Sequence, residues 1–112
     1  MKKQIDYRPI IKDNYEIGYL QLVKDDLLPL PELEYLLDEN YWNQKIMSEE
    51  LLKYLSYLKG TGITRFVALV KEDNEYSIRL LNKYFVKTKK FGDTLCYMTD
   101  LTILPILLNQ NN

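Results

Sequence analysis

The chemistry open to this chain is narrowed first by a residue type that it lacks. Among its 112 residues there is no histidine, which removes imidazole catalysis and most zinc sites together. Its single cysteine, Cys96, can form no internal disulfide. Cys96 lies in a strand-like stretch with nothing to activate it, and it reads as a small buried hydrophobe rather than a nucleophile. Two carboxylates, Glu32 and Glu34, stand two residues apart in a strand-like segment, so alternation puts both on one face. A carboxylate beside an opening can take a proton from an ammonium ion, directly or through water. On an ordinary surface the same residues are solvated or paired charges. Ser48, followed by Glu49 and Glu50, reads as a helix cap with acidic residues at the positive end of the dipole. Asn74 reads as a second cap, and Trp42 as a packing residue at a sheet edge.

The elements that must position these residues follow from periodicity. Ile5 to Ile11 reads as a strand that Pro9 makes an edge strand or ends early. After the Lys12-Asp13-Asn14 turn signal, Tyr15 to Val23 is a second strand. Tyr15, Ile17 and Tyr19 fall on one face, Leu20 and Leu22 on the other, and Gly18 marks a bulge or a close contact. Glu32 to Leu37 is the third strand. Met47, Leu51, Tyr54, Leu55 and Leu58 recur at helical spacing, and Lys59-Gly60 marks the end of that helix. Ile63 to Val70 is apolar on both faces and reads as a central strand covered on both sides. A second helix starting at Asn74 buries Ile78, Leu81 and Tyr84-Phe85. Val86 to Lys90 and Thr94 to Thr99 form a hairpin around Phe91-Gly92-Asp93. The expected fold is α/β (α+β), one domain with a mixed, largely antiparallel sheet and two main helices. Within it, residues 5–23 form an N-terminal hairpin, 32–85 a strand-helix-strand-helix core, 86–100 a C-terminal hairpin and 101–112 a tail.

Composition fits one domain around an apolar core: 46% hydrophobic and 28% charged residues. The net charge of −1 gives no electrostatic reason to expect nucleic-acid binding. No apolar run approaches a membrane span of about 20 residues, and Met1 to Gln4 lacks the apolar stretch of a signal peptide. A cytoplasmic protein with no membrane partner is expected. The ten tyrosines suit half-buried strand surfaces.

The order of elements fits several folds, and particular residues narrow the choice. Ile17-Gly18-Tyr19-Leu20 resembles the "IGYI" strand of the GNAT (GCN5-related N-acetyltransferase) superfamily. Glu32 to Leu37 resembles the next family strand, and Tyr41-Trp42 sits where the branch acetylating protein N-termini, such as those of ribosomal proteins, reads "YWGKGYATEA". Gly62 to Val70 resembles "GI.RI.A.V", and Asn74-Glu75-Tyr76-Ser77-Ile78-Arg79-Leu80-Leu81-Asn82-Lys83 resembles "N..SIRLLEK". The ordered match runs from about Tyr15 to Lys90.

The resemblance implies a domain that binds acetyl-CoA in a splay between two parallel strands and transfers acetyl to a primary amine of a small molecule or peptide. The implied cofactor-binding residues are Leu36, Leu37, Lys45, Ile46, Met47, Ser48, Asn74 and Ser77. The implied catalytic residues are Glu32 or Glu34 as base and Tyr84 as the proton donor to the leaving thiolate. The sequence departs from the family at three loop positions: Asn43 and Lys45 replace glycines, and Met47 replaces a small residue. Either Lys45 reaches the phosphates beside the free N–H groups of Ile46, Met47 and Ser48, or the added side chains fill the space and the site is lost. Leu81 occupies the position of the family's tyrosine, with Tyr84 three residues on. The family's first strand and two helices have no counterpart before Ile5, so the resemblance implies a truncated member. A second copy, as a homodimer, or another chain is then expected over the bared sheet face, with Leu101 to Leu108 as further covering material. The alternative to an active acetyltransferase is a catalytically inactive GNAT-fold binding or assembly module. A third possibility is a small α/β protein of unrelated function, which a sheet without splayed parallel strands would favour.

Overall fold

The computed structural model describes residues 1–103. The strands are β1 (Lys2–Lys12), β2 (Tyr15–Asp25), β3 (Glu32–Leu37), β4 (Arg65–Lys71), β5 (Val86–Phe91) and β6 (Thr94–Asp100); the helices are α1 (Ile46–Gly60) and α2 (Glu75–Leu81). They form one six-stranded sheet in the order β1-β2-β3-β4-β6-β5. Every neighbouring pair is antiparallel except β3 and β4, which run parallel. A parallel pair needs a crossover, and α1 supplies it. No helix among the described residues is long and apolar enough to cross a membrane.

Local sequence accounts for the elements. Asp13 and Asn14 both have positive φ, 52° and 70°, between the paired residues Lys12 and Tyr15. Two left-handed residues make the tight hairpin turn whose twist matches its strands. Pro9 lies inside β1 without ending it, because β1 is an edge strand and can spare one N–H. The predicted stripe of α1 is buried in full: Met47, Leu51, Tyr54, Leu55 and Leu58. These pack on Leu20, Leu22, Leu33, Phe66 and Ala68 from the sheet. Tyr54 Oη donates to Asp6 Oδ2 at 2.6 Å and Arg8 pairs with Glu50 at 3.7 Å, fastening β1 to α1.

Four expectations need correction. Ile17 does not share a face with Tyr19. Ile10 pairs with Gly18 and Ile11 with Glu16, so Ile17 is the extra residue of a bulge and turns into the core. Helix α1 starts at Ile46, two residues before Ser48; its cap position is Lys45, which makes no side-chain cap bond. Of the stripe expected for α2, Leu81, Tyr84 and Phe85 are buried, but Ile78 is only half-buried, and Ser77 and Leu80 are buried in addition. The fourth concerns β4: Phe66, Ala68 and Val70 are buried against the helices, but Val67 is half-buried and Leu69 is exposed. Among the described residues both helices contribute to the core on one face only. The opposite face carries an apolar groove of about 420 Å³ lined by Leu28, Leu30, Val67, Leu69, Phe91 and Met98. Leu101 is fully buried in the core; the rest of the tail expected to serve as covering material lies outside the described residues.

Candidate functional site

The parallel strands β3 and β4 touch at one point. Glu32 pairs with Val67, and the Val67 N–H donates to the Pro31 carbonyl at 2.9 Å. No register pair joins them beyond that, although β3 continues to Leu37 and β4 to Lys71. The two strands therefore splay, and their facing edges carry backbone groups without a ladder partner. A cavity of about 340 Å³ fills the wedge, lined by Glu32, Leu33, Glu34 and Tyr35 on β3, by Leu69, Val70 and Lys71 on β4, and by Asn74 and Ser77. Leu33 and Tyr35 point to the helix side and Glu32 and Glu34 to the other, by alternation. The wedge is thus open through the sheet.

Two further cavities continue this one. The first, about 210 Å³, is lined by Tyr35, Leu36, Leu37, Trp42, Met47, Asn74, Tyr76 and Ser77. Trp42 is half-exposed and its indole N–H donates to the Leu37 carbonyl at 2.7 Å, closing the end of β3. The second, about 300 Å³, lies at the N-terminus of α1 between Asn43, Lys45, Ser48, Tyr76, Arg79, Leu80 and Lys83. Tyr35, Asn74 and Ser77 are shared by the wedge and the first cavity, and Tyr76 by the first and the second. The three cavities therefore adjoin through shared lining residues, in a row from the sheet opening to the helix terminus.

The helix terminus has features that suit an anion. The first intrahelical bond runs from the Glu49 N–H to the Lys45 carbonyl at 3.1 Å, so the N–H groups of Ile46, Met47 and Ser48 precede the ladder. Those groups and the dipole favour negative charge. Asn43 and Lys45, where glycines were expected, both hold φ of 63°. The backbone thus keeps the left-handed shape that glycine adopts freely, now with side chains attached. Met47, the third departure, folds inward and is 1% exposed, which keeps its bulk out of the terminal cavity. Positive charge comes from Lys45, Arg79 and Lys83, and Lys83 Nζ donates to Ser48 Oγ at 2.8 Å. The shape and charge fit a phosphate-bearing ligand.

On the open face the two carboxylates are engaged. Lys2 Nζ lies 3.3 Å from Glu32 Oε1 and 3.3 Å from Glu34 Oε2. Gln21 Nε2 donates to Glu34 Oε1 at 2.8 Å, and Gln4 Nε2 donates to Gln21 Oε1 at 2.7 Å. Attraction to Glu32 above all, with hydrogen bonds to both carboxylates, raises the Lys2 ammonium pKa above its ordinary value.

The structure brings Leu36, Leu37, Lys45, Met47, Ser48, Asn74 and Ser77 onto the row of cavities, and Ile46 supplies a first-turn N–H. Asn74 is also the cap of α2, its Oδ1 accepting from the Ser77 N–H at 3.1 Å. Tyr84 is not on this row. It is 7% exposed within the apolar core, and its carbonyl accepts from Thr99 Oγ1 at 2.8 Å. The expectation of Tyr84 as proton donor is therefore corrected: one turn along the chain, an apolar ring is drawn into the core. Tyr35 and Tyr76 line the cleft instead. Burial raises the Tyr35 phenol, opposed by a hydrogen bond from Ser77, and burial also raises Tyr76. Both keep their protons at neutral pH and can donate to a sulfur. Sequence reasoning also passed over Arg79 and Lys83. Their spacing of four was the available signal, since it would stack them on one face of a helix, although α2 ends at Leu81 and Lys83 lies just past it.

Comparison with known proteins gives a consistent result. The family model described as acetyltransferase (GNAT) domain matches residues 2–84. Among solved structures, the PaiA N-acetyltransferase of Thermoplasma acidophilum in complex with coenzyme A superposes with a TM-score of 0.72 at 21% identity, over 84% of this chain and 59% of that one. The GNAT-family acetyltransferase of Streptococcus pneumoniae gives 0.75 at 20% identity, over 87% and 66%. The ribosomal-protein-S5-alanine acetyltransferase of Vibrio fischeri gives 0.69 at 21% identity, over 82% and 58%. These likenesses concern the fold, and the chain spans less than two thirds of each of those three structures. No curated protein matches the sequence.

Proposed function

Because the chain belongs to the acetyltransferase (GNAT) domain family, we propose that it binds acetyl-CoA along the splayed strands and transfers the acetyl group to a primary amine. The observation that carries this reading is the row of adjoining cavities from the α1 terminus to the wedge. At one end, first-turn N–H groups with Lys45, Arg79 and Lys83 suit the phosphates. In the middle, unpaired backbone groups of β3 and β4 suit an extended arm that carries amides, much as a sheet edge accepts an added strand. At the other end the wedge opens beside Glu32 and Glu34.

In this reading the amine loses a proton to Glu32 or Glu34 before its nitrogen attacks the thioester carbonyl. The carbon–sulfur bond breaks, and the departing sulfur is stabilised by a hydroxyl of Tyr35 or Tyr76. Rate enhancement comes from holding the two reactants in line and from backbone N–H groups facing the carbonyl oxygen. Isothermal titration with acetyl-CoA tests the first half, and release of free thiol over a panel of amines tests the second. Absence of heat at high micromolar ligand would sink the proposal. A second reading, a domain that binds acetyl-CoA without turnover, is favoured by one observation: an ammonium of the chain itself already sits on both carboxylates. Heat without thiol release would support it.

A further inference from the structure

The contact between Lys2 and the two β3 carboxylates is made over a distance. Lys2 lies on β1 opposite Asp25, and Glu32 and Glu34 lie on β3, with β2 between them. Neighbouring strands are about 4.8 Å apart, so the lysine arm spans β2 to place its ammonium at the mouth of the wedge. Asp25, directly across the ladder, is held instead by the Met1 ammonium at 3.9 Å and the Leu27 N–H at 2.9 Å. The Glu34 carboxylate is oriented by a polar row as well, Gln4 to Gln21 to Glu34, which leaves Oε2 turned to an ammonium. Glu32 is 12% exposed at its side chain and Glu34 33%, so the site is recessed. It opens into the cavity that passes through the sheet to Asn74 and Ser77.

We propose that Glu32 and Glu34 form the subsite for the ammonium of the acceptor, that this acceptor is an alkylamine with an unbranched chain next to its nitrogen, and that Lys2 is an internal competitor for the site. The proposal rests on the acetyltransferase reading for its purpose but not for its test. Lys2 presents a primary ammonium on four methylenes, and the subsite accommodates that shape. The arm is half-exposed, 49% at the side chain, so it can swing into solvent when a competing ammonium arrives. Its raised pKa keeps it charged, which makes it an occupant and not a nucleophile. Gln21 is a positioning residue for Glu34.

The test uses n-butylamine as probe and two-dimensional amide NMR of the full chain without acetyl-CoA. A failure to bind acetyl-CoA therefore leaves the result readable. Addition of the probe is expected to move the Gln21 side-chain amide and the backbone amides of Glu32 and Glu34. Lys2→Gln is expected to tighten binding by up to about fivefold, the upper range for an exposed ion pair. Glu34→Gln is expected to abolish the shifts, and its dispersed spectrum reports that the chain still folds. Equal affinity in wild type and Lys2→Gln, or shifts confined to other residues, would overturn the assignment. Acetylation of Lys2 on incubation with acetyl-CoA, read by mass spectrometry, would also overturn it, because the lysine would then be an acceptor and not a competitor.

Discussion

Replacing Lys45 by glycine separates the two effects that its side chain has on the loop. Lys45 holds φ of 63° and ψ of 12° at the start of α1. A side chain in this region costs about 1–2 kcal/mol, while the freer unfolded chain of a glycine costs about 0.5–1 kcal/mol. The net expectation for Lys45→Gly is a stabilisation of about 0.5–1 kcal/mol, or a rise in Tm of about 2–6 °C for a domain of this size. Lys45→Ala removes the same charge but keeps the strain, so its Tm should not rise. Differential scanning calorimetry of the three proteins measures this. Titration with coenzyme A then decides what the side chain does for the ligand. If the charge contributes, both variants bind about two- to fivefold more weakly, as for a partly exposed ion pair. If the side chain obstructs, Lys45→Gly binds more tightly than wild type. A Tm that falls in Lys45→Gly, or rises equally in Lys45→Ala, would refute the strain argument.

Gly18→Ala should be among the most damaging small changes: a Cβ there would lie 2.3 Å from the Leu36 carbonyl oxygen. Backbone on both sides cannot yield cheaply, so a loss of about 1–3 kcal/mol is expected by chemical denaturation. Tyr54 carries a pH dependence. Burial first, then the hydrogen bond to Asp6, raises its pKa from 10.0. Its contribution is complete below pH 10 and declines above it, because the unfolded chain ionises first, at about 1.4 kcal/mol per pH unit. Tyr54→Phe should lower stability at neutral pH by about 1–3 kcal/mol, since Asp6 loses a partner, and should flatten the alkaline decline; an equally steep decline in urea titrations would contradict this. The groove beside Leu69 and Phe91, open among the described residues, predicts concentration-dependent self-association in sedimentation velocity, and a monomer at every concentration would count against it.

Much of the frame was legible in the residues. The helical stripe from Met47 to Leu58, the cap at Asn74, the Glu32–Leu37 strand and the C-terminal hairpin depend on interactions within a few positions of chain, and short-range periodicity encodes them. The facing of Ile17 was not, because a bulge is set by the pairing of two strands and breaks the alternation from which the face was read. The burial of Tyr84 was legible in the stripe it shares with Leu81 and Phe85; that Tyr35 and Tyr76 line the cleft was not.

The candidate site divides in the same way. The sequence alone determined which residues occupy the loop and the third strand, including the absence of glycine at Asn43 and Lys45. Only the tertiary structure decided that the loop keeps its left-handed backbone regardless, held between β3 and a helix that packs on the sheet. Only the tertiary structure joined Arg79 and Lys83 to Lys45, and Lys2 to Glu32 and Glu34. The physical reason is separation: each of these partners lies 30 or more positions from the other along the chain. No local pattern records a contact that packing alone brings together.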